Sequence, residues 1–312
     1  TALACGVRVI NGTIGVYGFD PFGLFATPRS ITETAIAHGM KAGVVTTDST
    51  TGATPAGFST HVISRQLDSA IADEQLSSDL DLIWGAATDS FNEQEAADNG
   101  FSVVTTKEEM QALTSDERSY GQFSDNMWKL EVPEDDASPN LTEMTEKAIA
   151  LLDNDDGFFL MVEGAHIDKH SHGSANGFHY PEKVANMTEA LEEFDNAIEA
   201  AVRFAREDGE TMVIVTADHE TGAIMQQDDG KYVYTSGSHS AANVPLFVYG
   251  SDTLIPNGEA VDNKSIPQRI ADTLSFTDFP AYNKGPMLKI LDTFDVLFSA
   301  LAESKDLIKT LP

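Results

Sequence analysis

Asp168 and His172 stand four residues apart in the run Val162-Glu163-Gly164-Ala165-His166-Ile167-Asp168-Lys169-His170-Ser171-His172. Asp218-His219 follows, and then His239. Imidazole nitrogens and carboxylate oxygens, deprotonated at mild pH, are the donors that a zinc ion takes. The set reads as a metal-dependent hydrolase. Glu163, Asp168 and His172 come directly after the apolar run Phe158–Val162, and Asp218-His219 comes directly after Met212–Thr216. Sheets of parallel strands place their sites at the carboxyl ends of strands. Two predicted strands that each end in acid plus imidazole therefore carry most of this reading. His239 lies in Ser236-Gly237-Ser238-His239-Ser240, a loop that can bring an imidazole into a cleft. His166 and His170 flank the ligand positions and read as lying behind them or exposed. His38, His61 and His179 read as structural or exposed.

The elements that must hold these groups are short apolar runs alternating with helical patterns. That alternation predicts an α/β fold, a largely parallel central sheet with helices on both faces. Strands are predicted at Ala42–Thr46, Leu80–Trp84, Ser102–Thr105, Phe158–Val162, Met212–Thr216 and Pro245–Tyr249. They are short and non-alternating, as in strands buried on both sides. Ile31–His38, stopped by Gly39, reads as a helix. Leu141–Leu152 follows the N-cap Asn140 and shows an apolar stripe of Leu141, Met144, Ala148, Leu151 and Leu152. The longest helix is predicted over Glu182–Glu207, ended by Gly209; Ile266–Leu274 and Met287–Leu301 read as two more. Glu131–Pro139 reads as an exposed loop. No internal repeat or low-complexity linker divides the chain, which is expected to form a single domain over residues 1–312.

The net charge of -31 comes from 50 acidic against 19 basic residues. Such a surface repels nucleic acid and anionic lipid, so neither is expected as a partner. It reads either as a solvated surface or as adaptation to high salt, where ions screen the repulsion. No window approaches the roughly 18 consecutive apolar residues of a membrane span. The single cysteine, Cys5, excludes an intrachain disulfide and a thiolate metal cluster.

The runs Val162–His172 and Thr216-Ala217-Asp218-His219-Glu220-Thr221-Gly222, with His239-Ser240, resemble the alkaline phosphatase family. Thr1–Val7 and Asn11–Val16 resemble the stretch after that family's nucleophile. Val44–Thr47, Ala53-Thr54-Pro55-Ala56, His61-Val62 and Arg65 resemble its next segment, and Pro139–Thr145 resembles the helix before a strand. The resemblance implies two zinc ions and one magnesium. Asp168, His172 and His239 would hold the first zinc, Asp218 and His219 would serve the second, and Glu163 and Thr54 would serve magnesium. It further implies phosphate binding by Arg65, whose guanidinium fork suits two phosphoryl oxygens, with help from Lys169. The reaction implied is phosphomonoester hydrolysis through a phosphoserine, with small phosphomonoesters and inorganic phosphate as ligands. A homodimer in the periplasm or secreted is implied as well.

Three departures accompany the resemblance. The family's Asp-Ser nucleophile pair and an early metal-binding Asp have no counterpart, so the chain is expected to lack an N-terminal part with the nucleophile and the first strand. Gly52 stands where family members often carry an Asp or His that tunes the magnesium site. Only Gly222–Ser238 separates Asp218-His219 from His239, room for a small hairpin near Ile224–Tyr234 in place of a large crown insertion. Related phosphodiesterases, sulfatases and phosphomutases share much of this metal pattern. A non-catalytic metal-binding fragment and a metal-free, salt-adapted α/β domain are the readings from other classes.

Overall fold

In the computed structural model, residues 1–17, 26–172, 180–255, 258–280 and 282–284 are described. Their strands are β1 (Ala26–Pro28), β2 (Lys41–Ser49), β3 (Leu82–Ala86), β4 (Phe101–Val104), β5 (Arg118–Phe123), β6 (Phe158–Glu163), β7 (Val213–Thr216), β8 (Glu220–Thr221), β9 (Ile224–Gln226), β10 (Tyr232–Tyr234), β11 (His239–Ser240), β12 (Leu246–Tyr249) and β13 (Tyr282–Lys284). The helices are α1 (Ala2–Cys5), α2 (Ile31–Ala37), α3 (Ala53–Ser59), α4 (Asp68–Leu76), α5 (Glu93–Asp98), α6 (Lys107–Ala112), α7 (Leu141–Leu152), α8 (His166–Ser171), α9 (Pro181–Asp208) and α10 (Ser265–Thr273). The helix expected over Met287–Leu301 lies outside the described residues, as does His179.

The order β4-β5-β3-β2-β6 forms a five-stranded sheet in which every pairing is parallel. Successive side chains of a strand point to opposite faces, so a central strand must be apolar on both. Val45, Leu82 and Trp84 pack with Met144, Ala148 and Leu152 of α7 on one face. Ala42, Val44 and Ile83 pack with Leu76 and Ala96 on the other. The α/β architecture is therefore as the sequence pattern implies. α7 has the predicted bounds because Asn140 closes a capping box with Glu143.

Strand β5, which was not predicted, is an interior strand of this sheet. Its residues Ser119, Tyr120, Gly121 and Gln122 lack an apolar run, so periodicity could not reveal it. They are buried because each polar group finds a partner. Trp84 Nε1 donates to Ser119 Oγ at 3.0 Å, and Tyr120 OH donates to Gln75 Oε1 at 2.7 Å. Gln122 Nε2 donates to Thr50 Oγ1 at 3.2 Å.

Strands β7 and β12 form a separate antiparallel pair. The predicted parallel pattern does not extend to them among the described residues. β6 and β7 each keep an unpaired edge there, and both are only half-buried. The hairpin is present: Tyr232 pairs with Gln226 and Tyr234 with Ile224, joining β10 to β9. No described helix is long and apolar enough to cross a membrane.

Candidate metal and phosphate site

Asp168 is on α8, which follows β6 after Gly164 and Ala165, and His172 is the residue that caps its C-terminal end. His239 arrives from β11, a two-residue strand paired antiparallel with β8 so that His239 lies opposite Thr221. Gly222 makes the approach possible. Its φ is +84°, and a Cβ there would lie 2.2 Å from the Ser171 carbonyl oxygen, so only glycine fits between the hairpin and the end of α8.

The pairing brings one ligand atom from each of Asp168, His172 and His239 within 4.8 Å of the others. His172 Nε2 lies 3.2 Å from Asp168 Oδ2, and His239 Nε2 lies 3.5 Å from Asp168 Oδ1. The outward nitrogen of His172 is committed elsewhere. His172 Nδ1 is 3.0 Å from the Gly237 carbonyl oxygen, which must accept, so Nδ1 carries a proton and Nε2 is the nitrogen that the neutral ring would offer to a cation. Burial, then the neighbouring His219, pushes the His239 pKa below its ordinary value, which favours the neutral, ligating form.

Asp218 and His219 stand directly beside this group. The His219 and His239 rings stack at 3.5 Å with their planes 20° apart. His219 Nε2 is 3.1 Å from Asp218 Oδ2. That hydrogen bond raises the His219 pKa, although burial opposes it. Burial works against charge on Asp218, yet His219 holds its pKa below the ordinary value. Thr221 links the two groups: its hydroxyl donates to Asp168 Oδ1 at 2.5 Å and lies 3.1 Å from His219 Nδ1. Nothing in composition singles out Thr221; its role follows from the β8–β11 pairing.

The sequence pattern of the family described as "Alkaline phosphatase" matches residues 1–84 and 71–244. The chain belongs to the alkaline phosphatase family. Alkaline phosphatase 4 of Bacillus subtilis is 35% identical over 262 residues, covering 80% of this chain and 54% of that protein. Alkaline phosphatase 3 of the same organism is 33% identical over 255 residues, covering 78% and 52%. The chain thus spans about half the length of these relatives. The alkaline phosphatase of the Antarctic bacterium TAB5 is similar in structure, with a TM-score of 0.68 and 29% identity over 88% of this chain and 82% of that one. A variant of that enzyme was solved with Mg bound. A cold-active alkaline phosphatase from Shewanella sp. shares the fold, with a TM-score of 0.71, 24% identity and coverage of 88% and 84%.

Glu163 ends β6, and Thr54 lies in the first turn of α3 after the strand β2. Thr46 Oγ1 donates to Glu163 Oε2 at 2.5 Å. Burial pushes the Glu163 carboxyl up to about 7. Hydrogen bonds from the Thr46 and Thr54 hydroxyls oppose that rise, and the negative neighbours Asp48 and Asp218 add to it. A half-buried carboxylate among hydroxyls and further carboxylates fits an oxygen-liganded divalent cation. The imidazole and carboxylate group at Asp168 fits zinc. The chemistry of both donor sets therefore matches the metals that the family resemblance implies.

Lys169 turns its ammonium to Asp48 Oδ1 at 2.7 Å and to Asp125 Oδ1 at 3.7 Å. Arg65 is outside this contact network. Its backbone N–H donates to the Gly12 carbonyl at 2.7 Å, and its exposed guanidinium has no ion pair among the described residues. His166 is buried behind the site, stacked on Trp128 and 3.1 Å from Thr47 Oγ1, and His170 packs edge-on against the same indole. His38 pairs with the exposed Asp278, and His61 with Glu33. Asp48 and Thr46, neither singled out in the sequence, complete the surroundings of Glu163.

Proposed function

We propose that this protein acts in phosphomonoester hydrolysis with two zinc ions and one magnesium ion. Asp168, His172 and His239 hold one zinc, Asp218 and His219 contribute to the second, and Glu163 and Thr54 contribute to the magnesium site. The observation that carries the proposal is the convergence of Asp168, His172 and His239 within 4.8 Å, beside the stacked His219. When bound, such cations polarise phosphoryl oxygens and lower the pKa of a hydroxyl or water near them.

The chain's own groups supply orientation and charge. Thr221 fixes the Asp168 carboxylate, the Gly237 carbonyl sets the His172 tautomer, and Arg65 and Lys169 offer fixed positive charge to a phosphate dianion. The phosphoseryl intermediate belongs to the same proposal. So do inorganic phosphate as a ligand, a homodimer, and a periplasmic or secreted location.

The test is hydrolysis of p-nitrophenyl phosphate at alkaline pH by the natural full-length protein, with zinc and magnesium, against a chelator control. Chelator-sensitive turnover that exceeds turnover of a phosphodiester and a sulfate ester supports the proposal. Turnover indifferent to chelator, or a clear preference for either other ester, overturns it.

A further inference from the structure

The side chain that Gly52 lacks is replaced in space by another residue. An ideal Cβ built on Gly52 would lie 2.4 Å from Asp48 Oδ2 and 2.9 Å from its Cγ. The carboxylate of Asp48 therefore fills the volume into which a side chain at position 52 would emerge, and glycine there is what makes room for it. A second, independent feature aims Asp48 at this place. The pairing of β2 with β3 shifts register between Val45 and Ser49, an irregularity of the kind that re-aims side chains at the end of a strand. Gly85 accommodates it: a Cβ on Gly85 would lie 2.7 Å from the Asp48 carbonyl oxygen. A third feature shows what the carboxylate touches. Asp48 Oδ1 accepts from Lys169 Nζ at 2.7 Å, and the Asp48 backbone N–H donates to Thr46 Oγ1 at 2.9 Å. That same hydroxyl donates to Glu163 Oε2.

We propose that Asp48 is a positioning residue that does the work of a side chain at position 52, walling the Glu163–Thr54 pocket and anchoring Lys169 over it for a hydrated divalent cation of the magnesium class. This rests on the reading of Glu163 and Thr54 as hard-cation ligands. A hard cation keeps several of its waters, and a carboxylate just outside the ligands can hold them by hydrogen bonds. Asp48 reaches that position from the strand, whereas position 52 would reach it from the start of α3.

The test is a magnesium titration of the metal-stripped protein, followed by thermal melting and by calorimetry, on the wild type, Asp48→Gly, Gly52→Asp and the double variant Asp48→Gly/Gly52→Asp. Asp48→Gly is expected to weaken magnesium binding about tenfold or more, as outer partners of metal sites do. Gly52→Asp alone is expected to lower the melting temperature, because two carboxylates then compete for one volume. The double variant, which moves the carboxylate to the helix side, is expected to recover most of the lost affinity, a rescue that a merely structural role does not produce. Asp48→Asn keeps the volume and loses the charge, and it should show the same weakening if Asp48→Gly does not fold. A wild-type titration curve in Asp48→Asn, or a double variant no better than Asp48→Gly, overturns the proposal. A wild type with no saturable magnesium response overturns the hard-cation reading as well, which separates the two failures.

Discussion

The Nε2 atoms of His172 and His239 face each other at 3.2 Å, although the two residues are 67 positions apart in sequence. With the Asp168 carboxylate beside them, these two imidazoles form a compact set of nitrogen and oxygen donors of the kind that a zinc ion takes. The contact depends on α8 ending beside the β8–β11 pair, so the site is as firm as that packing.

Replacing His172 or His239 by alanine should weaken zinc binding by more than the roughly 10–100-fold typical of an outer partner. Competition with a chromogenic chelator measures this. Equal zinc affinity in either variant would remove that residue from the ligand set.

Thr221→Val tests an outer partner directly. The hydroxyl that holds Asp168 Oδ1 and faces His219 Nδ1 disappears while the shape remains. Zinc affinity should fall by about 10–100-fold with little change in melting temperature of the metal-free protein. An unchanged zinc affinity would show that the Thr221 hydroxyl orients neither ligand.

Gly222→Ala should destabilise the protein by about 1–3 kcal/mol, the usual cost of a non-glycine residue in a sparsely populated backbone region. The new methyl also meets the Ser171 carbonyl next to His172. Urea unfolding gives the stability and the chelator competition gives the zinc affinity; both should fall. A variant as stable as the wild type would contradict the close approach described here.

Arg65→Ala should weaken inhibition by inorganic phosphate, because the guanidinium is exposed and has no ion pair among the described residues. The inhibition constant in the p-nitrophenyl phosphate assay measures it. The same constant in wild type and variant would place Arg65 outside the phosphate site.

The Glu33–His61 pair gives a pH dependence of stability. Burial disfavours charge on both groups, but their mutual hydrogen bond lowers the Glu33 pKa and raises that of His61. Glu33 contributes stability present above its ordinary 4.5 and lost as pH falls through its folded pKa. His61 contributes stability fully present below its ordinary 6.5 and lost as pH rises through its folded pKa. The cost of His61→Gln, about 1–3 kcal/mol for a buried group that loses its partner, should therefore be largest between about 4.5 and 6.5. Urea midpoints across pH check it. A cost that grows above that window would reverse the assignment.

The sequence by itself determined the local elements and the chemical inventory. Asn140 and the stripe after it set the bounds of α7, and the apolar runs of β2, β3 and β6 were visible because burial on both faces demands them. Acid and imidazole at the ends of β6 and β7 announced metal chemistry for the same reason, since one-dimensional spacing carries residue type and strand position. Only the tertiary structure decided which groups meet. β5 is a core strand through polar partners on distant segments, and Thr221 is tied to Asp168 by a two-residue ladder. Asp48 stands in for a side chain at position 52 through a register shift between β2 and β3. Hydrogen-bond satisfaction and close packing are pairwise properties of residues far apart in the chain, and no local pattern encodes them.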